Sequence, residues 1–122
     1  MPNIPDHAYL AGLVDADGCI FIQRQGMQVR IKVASGDEGT AKWLRSTFGG
    51  SCNLRPPRGI SKQFTWEWQI VGWKRAYPLL AAIQPFLRAK RYKAESILAL
   101  GPDIRGVAER SKLRLAINEG AP

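Results

Sequence analysis

Residues 28–34 read QVRIKVA, with Val29, Ile31 and Val33 on one side and Gln28, Arg30 and Lys32 on the other. Strict alternation of this kind marks a half-buried antiparallel strand. The same period recurs in QFTWEWQIV, residues 63–71, where Phe64, Trp66, Trp68 and Ile70 form the apolar set and Thr65, Glu67 and Gln69 the polar one. The apolar set is expected to pack under helices. CIFIQRQ, residues 19–25, is rich in β-branched and aromatic residues, and Gly26-Met27 makes a turn after it. SCNLR, residues 51–55, is a fourth strand, followed by the turn-rich PPRGISK.

Helical stretches separate these strands. Pro5-Asp6 opens a first helix that runs to about Ala16 and is broken by Gly18. A second is predicted over Asp37–Phe48, capped by Ser35 or Gly36 and closed by Gly49-Gly50. Residues 74–84 form a third, interrupted by Pro85, then LRAKRYKAESILALG (87–101) a fourth and 103–118 a last amphipathic one. The order αββα then ββα looks like two passes of one plan. It predicts an α+β fold, αββαββα, with a four-stranded antiparallel sheet and helices on one face.

A chain of 122 residues suits one domain, with its core over about 5–100 and a C-terminal helix and tail over 101–122. No apolar run approaches the ~20 residues of a membrane span, so no membrane partner is expected. The opening MPNIPDHAYL lacks the basic and apolar regions of a signal peptide. A cytoplasmic, nucleoid-associated or organellar location is therefore expected, not secretion. Cys19 and Cys52 form no C-x-x-C pair and His7 stands alone, which argues against structural zinc. Both cysteines are expected to be reduced and mostly buried.

Charge sharpens the picture. Eighteen Lys and Arg against ten Asp and Glu give a net charge of +8, which points to a polyanion partner. If helices cover the apolar face of the sheet, the open face carries Gln23, Gln25, Gln28, Arg30, Lys32, Asn53, Arg55, Glu67 and Gln69. These are side chains that hydrogen-bond base edges, and a two-stranded ribbon fits a DNA major groove. Arg30 and Arg55 suit guanine, and Gln23, Gln25, Gln28 and Gln69 suit adenine. Arg58, Lys62, Arg88, Arg91 and Lys93 are placed on phosphates, where they add affinity rather than specificity.

The first helix ends oddly. In YLAGLVDADGC, residues 9–19, Asp15 and Asp17 fall at the negative end of the helix macrodipole, which favours cations. A D-x-D pair there is also a common loop-forming cap. Ala8, Gly12 and Ala16 recur every four residues and share one face. Such a face suits packing against the chain's own sheet, or against a second copy of the same helix. A two-fold axis between two copies would bring Asp17 against its symmetry mate. Two carboxylates there raise each other's pKa or recruit a hard cation such as Mg²⁺. Metals between paired acids are suited to splitting a phosphodiester.

Leu10–Gly18, LAGLVDADG, differs from the LAGLIDADG motif only by Val14 in place of Ile. QPFLRAK, residues 84–90, is similar to the Pro-aromatic-Leu-x-x-Lys segment of the same family. Over about residues 8–100 the chain resembles a single-motif LAGLIDADG homing endonuclease, and it has no second copy of the motif. The resemblance implies a saddle-shaped homodimer, paired through the face of Ala8, Gly12 and Ala16. It implies that Asp17 is the metal-binding catalytic carboxylate, that Ala16 offers its backbone carbonyl to the metal, and that Asp15 is chiefly structural. Lys90 matches the basic residue near the scissile phosphate. Ser35 falls where relatives often carry Gln or another polar residue of the water network.

The function so implied is intron homing. The enzyme would bind a long pseudo-palindromic double-stranded DNA site and hydrolyse one phosphodiester per strand with Mg²⁺, Mn²⁺ substituting. Cleavage across a narrowed minor groove would leave 3′ overhangs, with the central base pairs read through their deformability. Metal activation of water makes a histidine base unnecessary. Some relatives are non-cleaving binders, either RNA maturases that assist intron splicing or DNA-binding regulators. Asp17 and Lys90 favour the nuclease.

Overall fold

The structure is a computed structural model, and it describes residues 2–23, 28–57 and 64–99. Helix α1 (Ile4–Asp17) leads directly into strand β1 (Gly18–Ile22), which is followed by β2 (Val29–Ser35) and α2 (Glu38–Phe48). The second pass comprises β3 (Ser51–Arg55), β4 (Thr65–Val71) and α3 (Ala76–Ile83). A 3₁₀ turn over Gln84–Phe86 and helix α4 (Arg91–Leu98) close the described chain. The Gly26-Met27 turn and the helix expected over 103–118 lie outside the described residues, as do Gln25, Arg58 and Lys62.

The sheet is antiparallel throughout, in the order β1-β2-β4-β3. Each pass supplies one hairpin, and the hairpins join where Ile31 faces Ile70 and Val33 faces Trp68. Alternation along the strands then separates two faces. Ile20, Ile22, Val29, Ile31, Val33, Trp68 and Ile70 are buried with Leu10, Val14, Leu44, Leu80 and Ile83 from the helices. Each large side chain so buried contributes about 1.5–3 kcal/mol of transfer free energy. The Trp68 indole keeps its hydrogen bond by donating Nε1–H to the Gly49 carbonyl at 2.8 Å. That bond also ties the end of α2 to the sheet.

The predicted boundaries move for identifiable reasons. Helix α1 begins one residue before Pro5, because Asn3 and Asp6 form a reciprocal capping box. Helix α2 is capped by Asp37, not by Ser35 or Gly36: the Asp37 carboxylate accepts from the Thr40 amide at 2.8 Å. Helix α4 starts at Arg91, not at 87, because the Arg88 and Lys90 amides are already engaged by Asp15 in a turn. In β4 the apolar set is buried only in part. Phe64 precedes the strand and is 56% exposed, while Trp66 is half-buried, with Lys42 of α2 over its ring. Cys19 and Cys52 are free but half-buried rather than mostly buried.

Gly18 is where α1 meets the sheet. A β-carbon there would come within 2.5 Å of the Lys32 carbonyl oxygen and 2.8 Å of Val14 Cα. Only glycine lets the helix terminate that close to β2. Among the described residues, no helix is long and apolar enough to cross a membrane.

Candidate functional site

The two acids at the end of α1 have different surroundings. Asp15 Oδ2 accepts from the Arg88 amide at 2.7 Å, and Oδ1 accepts from the Lys90 amide at 3.0 Å. The Lys90 ammonium returns to the helix, donating to the Asp15 carbonyl at 2.9 Å. Asp15 therefore clips α1 to the turn that precedes α4, and Lys90 supplies the cation that the helix C-terminus favours. Asp17 is exposed, and its carboxylate takes no hydrogen bond or ion pair among the described residues. One acid is committed to the fold and the other faces outward.

Small residues mark the outer side of α1. Leu10, Ala11 and Val14 are fully buried against the chain's own core. Gly12 and Ala16 are exposed and Ala8 is half-buried. A β-carbon at Gly12 would meet nothing within 4 Å. The chain's own sheet therefore gives no reason for glycine there. Tyr9 also faces out, edge-on to Trp43 of α2 with centroids 5.4 Å apart.

On the face of the sheet away from the core, β1 contributes Cys19 and Phe21, and Gln23 follows on the same side by alternation. Strand β2 contributes Arg30 and Lys32, β4 contributes Glu67 and Gln69, and β3 contributes Asn53 and Arg55. Of the expected polar set, Gln23, Arg30, Lys32, Asn53, Arg55, Glu67 and Gln69 are thus brought onto one surface, and Gln25 lies outside the described residues. Gln28 is turned to the strand end, where its Oε1 accepts from the Trp73 amide at 3.3 Å.

The side chains of this face are cross-linked in two groups. Arg30 donates from Nη1 to Gln69 Oε1 at 3.0 Å and from Nη2 to Gln23 Oε1 at 2.5 Å. Glu67 accepts from Arg55 at 2.9 Å and pairs with Lys32 at 3.3 Å. Burial by itself would raise the Glu67 pKa, but the hydrogen bonds and charges of Arg55 and Lys32 overcome it and hold the carboxyl below its ordinary value. Phe21 sits under both groups, with the Arg30 guanidinium 5.8 Å and the Lys32 ammonium 6.0 Å from its ring centre. Sequence reasoning missed this role of Phe21. The signal was present: Ile20 and Ile22 belong to the core, so period two puts Phe21 on the polar side.

Two further residues are held quietly. Ser35 ends β2, and its hydroxyl accepts from the Asp37 amide at 3.0 Å. Burial pushes the Cys19 thiol up in pKa, against the opposing pull of Lys32, Lys93 and Lys90, so it stays protonated at neutral pH. Arg91 pairs with Glu95 at 3.1 Å within α4, and the Arg88 side chain is exposed. Among the described residues, no group of three or more His, Cys, Asp or Glu side chains could hold a metal ion.

No protein-family model matches the sequence, and no curated protein matches it. Similar solved structures do. The homing endonuclease I-CvuI, in complex with the I-CreI target in 2 mM Mg with the DNA uncleaved, is 24% identical. The match covers 93% of this chain and 80% of that one, with a TM-score of 0.71. The archaeal intron-encoded homing endonuclease I-Vdi141I, complexed with DNA, is 12% identical over 95% of this chain and 84% of that one, with a TM-score of 0.69. The LAGLIDADG homing endonuclease I-SmaMI, bound to cleaved DNA, is 14% identical; the match covers 98% of this chain but 47% of that one, with a TM-score of 0.64. With LAGLVDADG forming the helix that ends at Asp17, this chain has the fold of the LAGLIDADG homing endonucleases.

Proposed function

We propose that the chain is a site-specific DNA endonuclease that acts as a homodimer on a long pseudo-palindromic site. The observation that carries this reading is the pairing of an exposed, uncommitted Asp17 with an adjoining sheet face of Arg, Lys, Gln and Asn side chains. The similar structures are DNA complexes, and the net charge of +8 suits a phosphate backbone. I-SmaMI is about twice the length this chain matches, which supports the need for two copies of a single-motif chain.

The chain by itself holds half of a site. Asp17 is one carboxylate, and the backbone carbonyls at the end of α1 lie beside it. That donor set fits Mg²⁺, which takes one or two carboxylates and leaves its other positions to water and phosphate oxygens. Bound there, a divalent ion would supply Lewis acidity toward the phosphodiester and activate water. Asp17 and the Ala16 carbonyl would hold it, with Mn²⁺ as a substitute. Gly12 and Ala16, open on the outer side of α1, would let the same helix of a second copy approach closely. Asp15 keeps the helix end in place through the Arg88 and Lys90 amides. Lys90, already at the helix terminus, brings positive charge to where the phosphate would lie.

DNA would lie along the open face of each copy. One cut per strand across the minor groove would leave 3′ overhangs. The test is cleavage selection from a randomised half-site library in Mg²⁺ or Mn²⁺. The wild type is expected to cut a pseudo-palindrome, and Asp17→Asn to bind that site without cutting it. Binding with no cleavage of any site in Mn²⁺ would mark a non-cleaving nucleic-acid binder instead.

A further inference from the structure

Arg30 lies on β2, an inner strand with β1 on one flank and β4 on the other. Its two terminal nitrogens donate to different glutamines, one on each flank: Nη2 to Gln23 and Nη1 to Gln69. Its Nε is buried and has no hydrogen-bond partner among the described residues, and the guanidinium lies over the Phe21 ring. A guanidinium carries five N–H donors and no acceptor. The glutamines take one donor from each terminal nitrogen, and the Nε donor is sealed beneath. Two donors remain, one on each terminal nitrogen, and the planar group holds them as a pair. The major-groove edge of guanine presents two acceptors, O6 and N7, at the spacing of such a pair.

The same bonds constrain the glutamines. An amide reads adenine by accepting from N6 while donating to N7. Toward a guanidinium it can offer only its oxygen, so the acceptors of Gln23 and Gln69 are committed to Arg30. This departs from the expectation that both residues read adenine.

We infer that Arg30 reads one guanine in each half-site through O6 and N7, and that Gln69 and Gln23 are positioning residues that hold its guanidinium. The inference rests on the DNA-binding reading above and assigns base chemistry to that surface. A side chain fixed in advance by two hydrogen bonds and an aromatic ring loses little rotamer freedom on binding, so discrimination is not offset by an ordering cost.

The experiment compares wild type, Arg30→Met and Gln69→Met by binding selection on a randomised half-site library, in Ca²⁺ so that sites survive. The wild type is expected to select a guanine at a position where both variants lose preference by about tenfold or more, with preferences elsewhere kept. Substituting 7-deazaguanine at that position, which removes the N7 acceptor, is expected to weaken wild-type binding about tenfold. That measurement uses only the wild-type protein and stands even if Gln69→Met folds poorly. Adenine at the position relaxed by Gln69→Met, or full-strength binding to the 7-deazaguanine site, overturns the inference while leaving the DNA reading intact. Selection of no sequence at all overturns the DNA reading and this inference together.

Discussion

Asp15 and Lys90 hold one another in both directions: the Asp15 carboxylate accepts from the Lys90 amide at 3.0 Å, and the Lys90 ammonium donates to the Asp15 carbonyl at 2.9 Å. With the Arg88 amide on the second carboxylate oxygen, three bonds join the end of α1 to a turn more than seventy residues later. This resolves the apparent misplacement of negative charge at a helix C-terminus. The Asp15 carboxylate is held by two backbone amides, the Lys90 ammonium meets the helix end at the Asp15 carbonyl, and Asp17 is left to face outward.

Stability and activity are therefore expected to separate between the two acids. Asp15→Ala leaves the Arg88 and Lys90 backbone amides without their partner, and should cost about 1–3 kcal/mol in urea denaturation. Asp17→Asn removes no contact among the described residues and should stay within about 0.5 kcal/mol of wild type. Its effect should appear in the Mg²⁺-dependent cleavage assay alone.

Gly12→Leu tests the outer side of α1. A β-carbon there meets nothing within 4 Å, so the isolated chain should tolerate leucine. Replacing an exposed helical glycine should even stabilise the monomer, by up to about 1 kcal/mol. Sedimentation velocity is expected to show loss of dimer at unchanged or higher melting temperature. A dimeric, active Gly12→Leu protein would rule this face out as the interface.

The Glu67 ion pairs have a pH signature. The folded chain holds this carboxyl below its ordinary value of 4.5, so folding favours the charged form. The stability it lends is complete above that ordinary value and is lost as pH falls through the lowered folded value. Wild type and Glu67→Gln should accordingly differ most in urea midpoint above about pH 5, and the gap should close in more acidic buffer.

Gly18→Ala probes the junction of helix and sheet. The added methyl would lie 2.5 Å from the Lys32 carbonyl oxygen, and both neighbours are backbone that cannot swing aside. A loss of roughly 3 kcal/mol is expected by thermal or urea melting. Gly12→Leu, six residues earlier in the same motif, provides the contrast in the same assay.

Alternation alone determined much of this protein. Val29, Ile31 and Val33 against Arg30 and Lys32 place one face inward and one outward, because a strand turns successive side chains to opposite sides. The motif LAGLVDADG likewise located the helix and its acids, since spacing and residue type are local properties. Partnership is not local, and only the tertiary structure decided it. Asp15 finds the Arg88 and Lys90 amides across the chain, which shortens α4 and separates its role from that of Asp17. Gln69 meets Arg30 because β4 pairs with β2 in this register, which commits the amide oxygen of a residue expected to read a base to the Arg30 guanidinium. Phe21 carries the same lesson. Alternation with Ile20 and Ile22 puts it on the open face, but only the pairing of β1 with β2 sets it beneath the Arg30 and Lys32 cations.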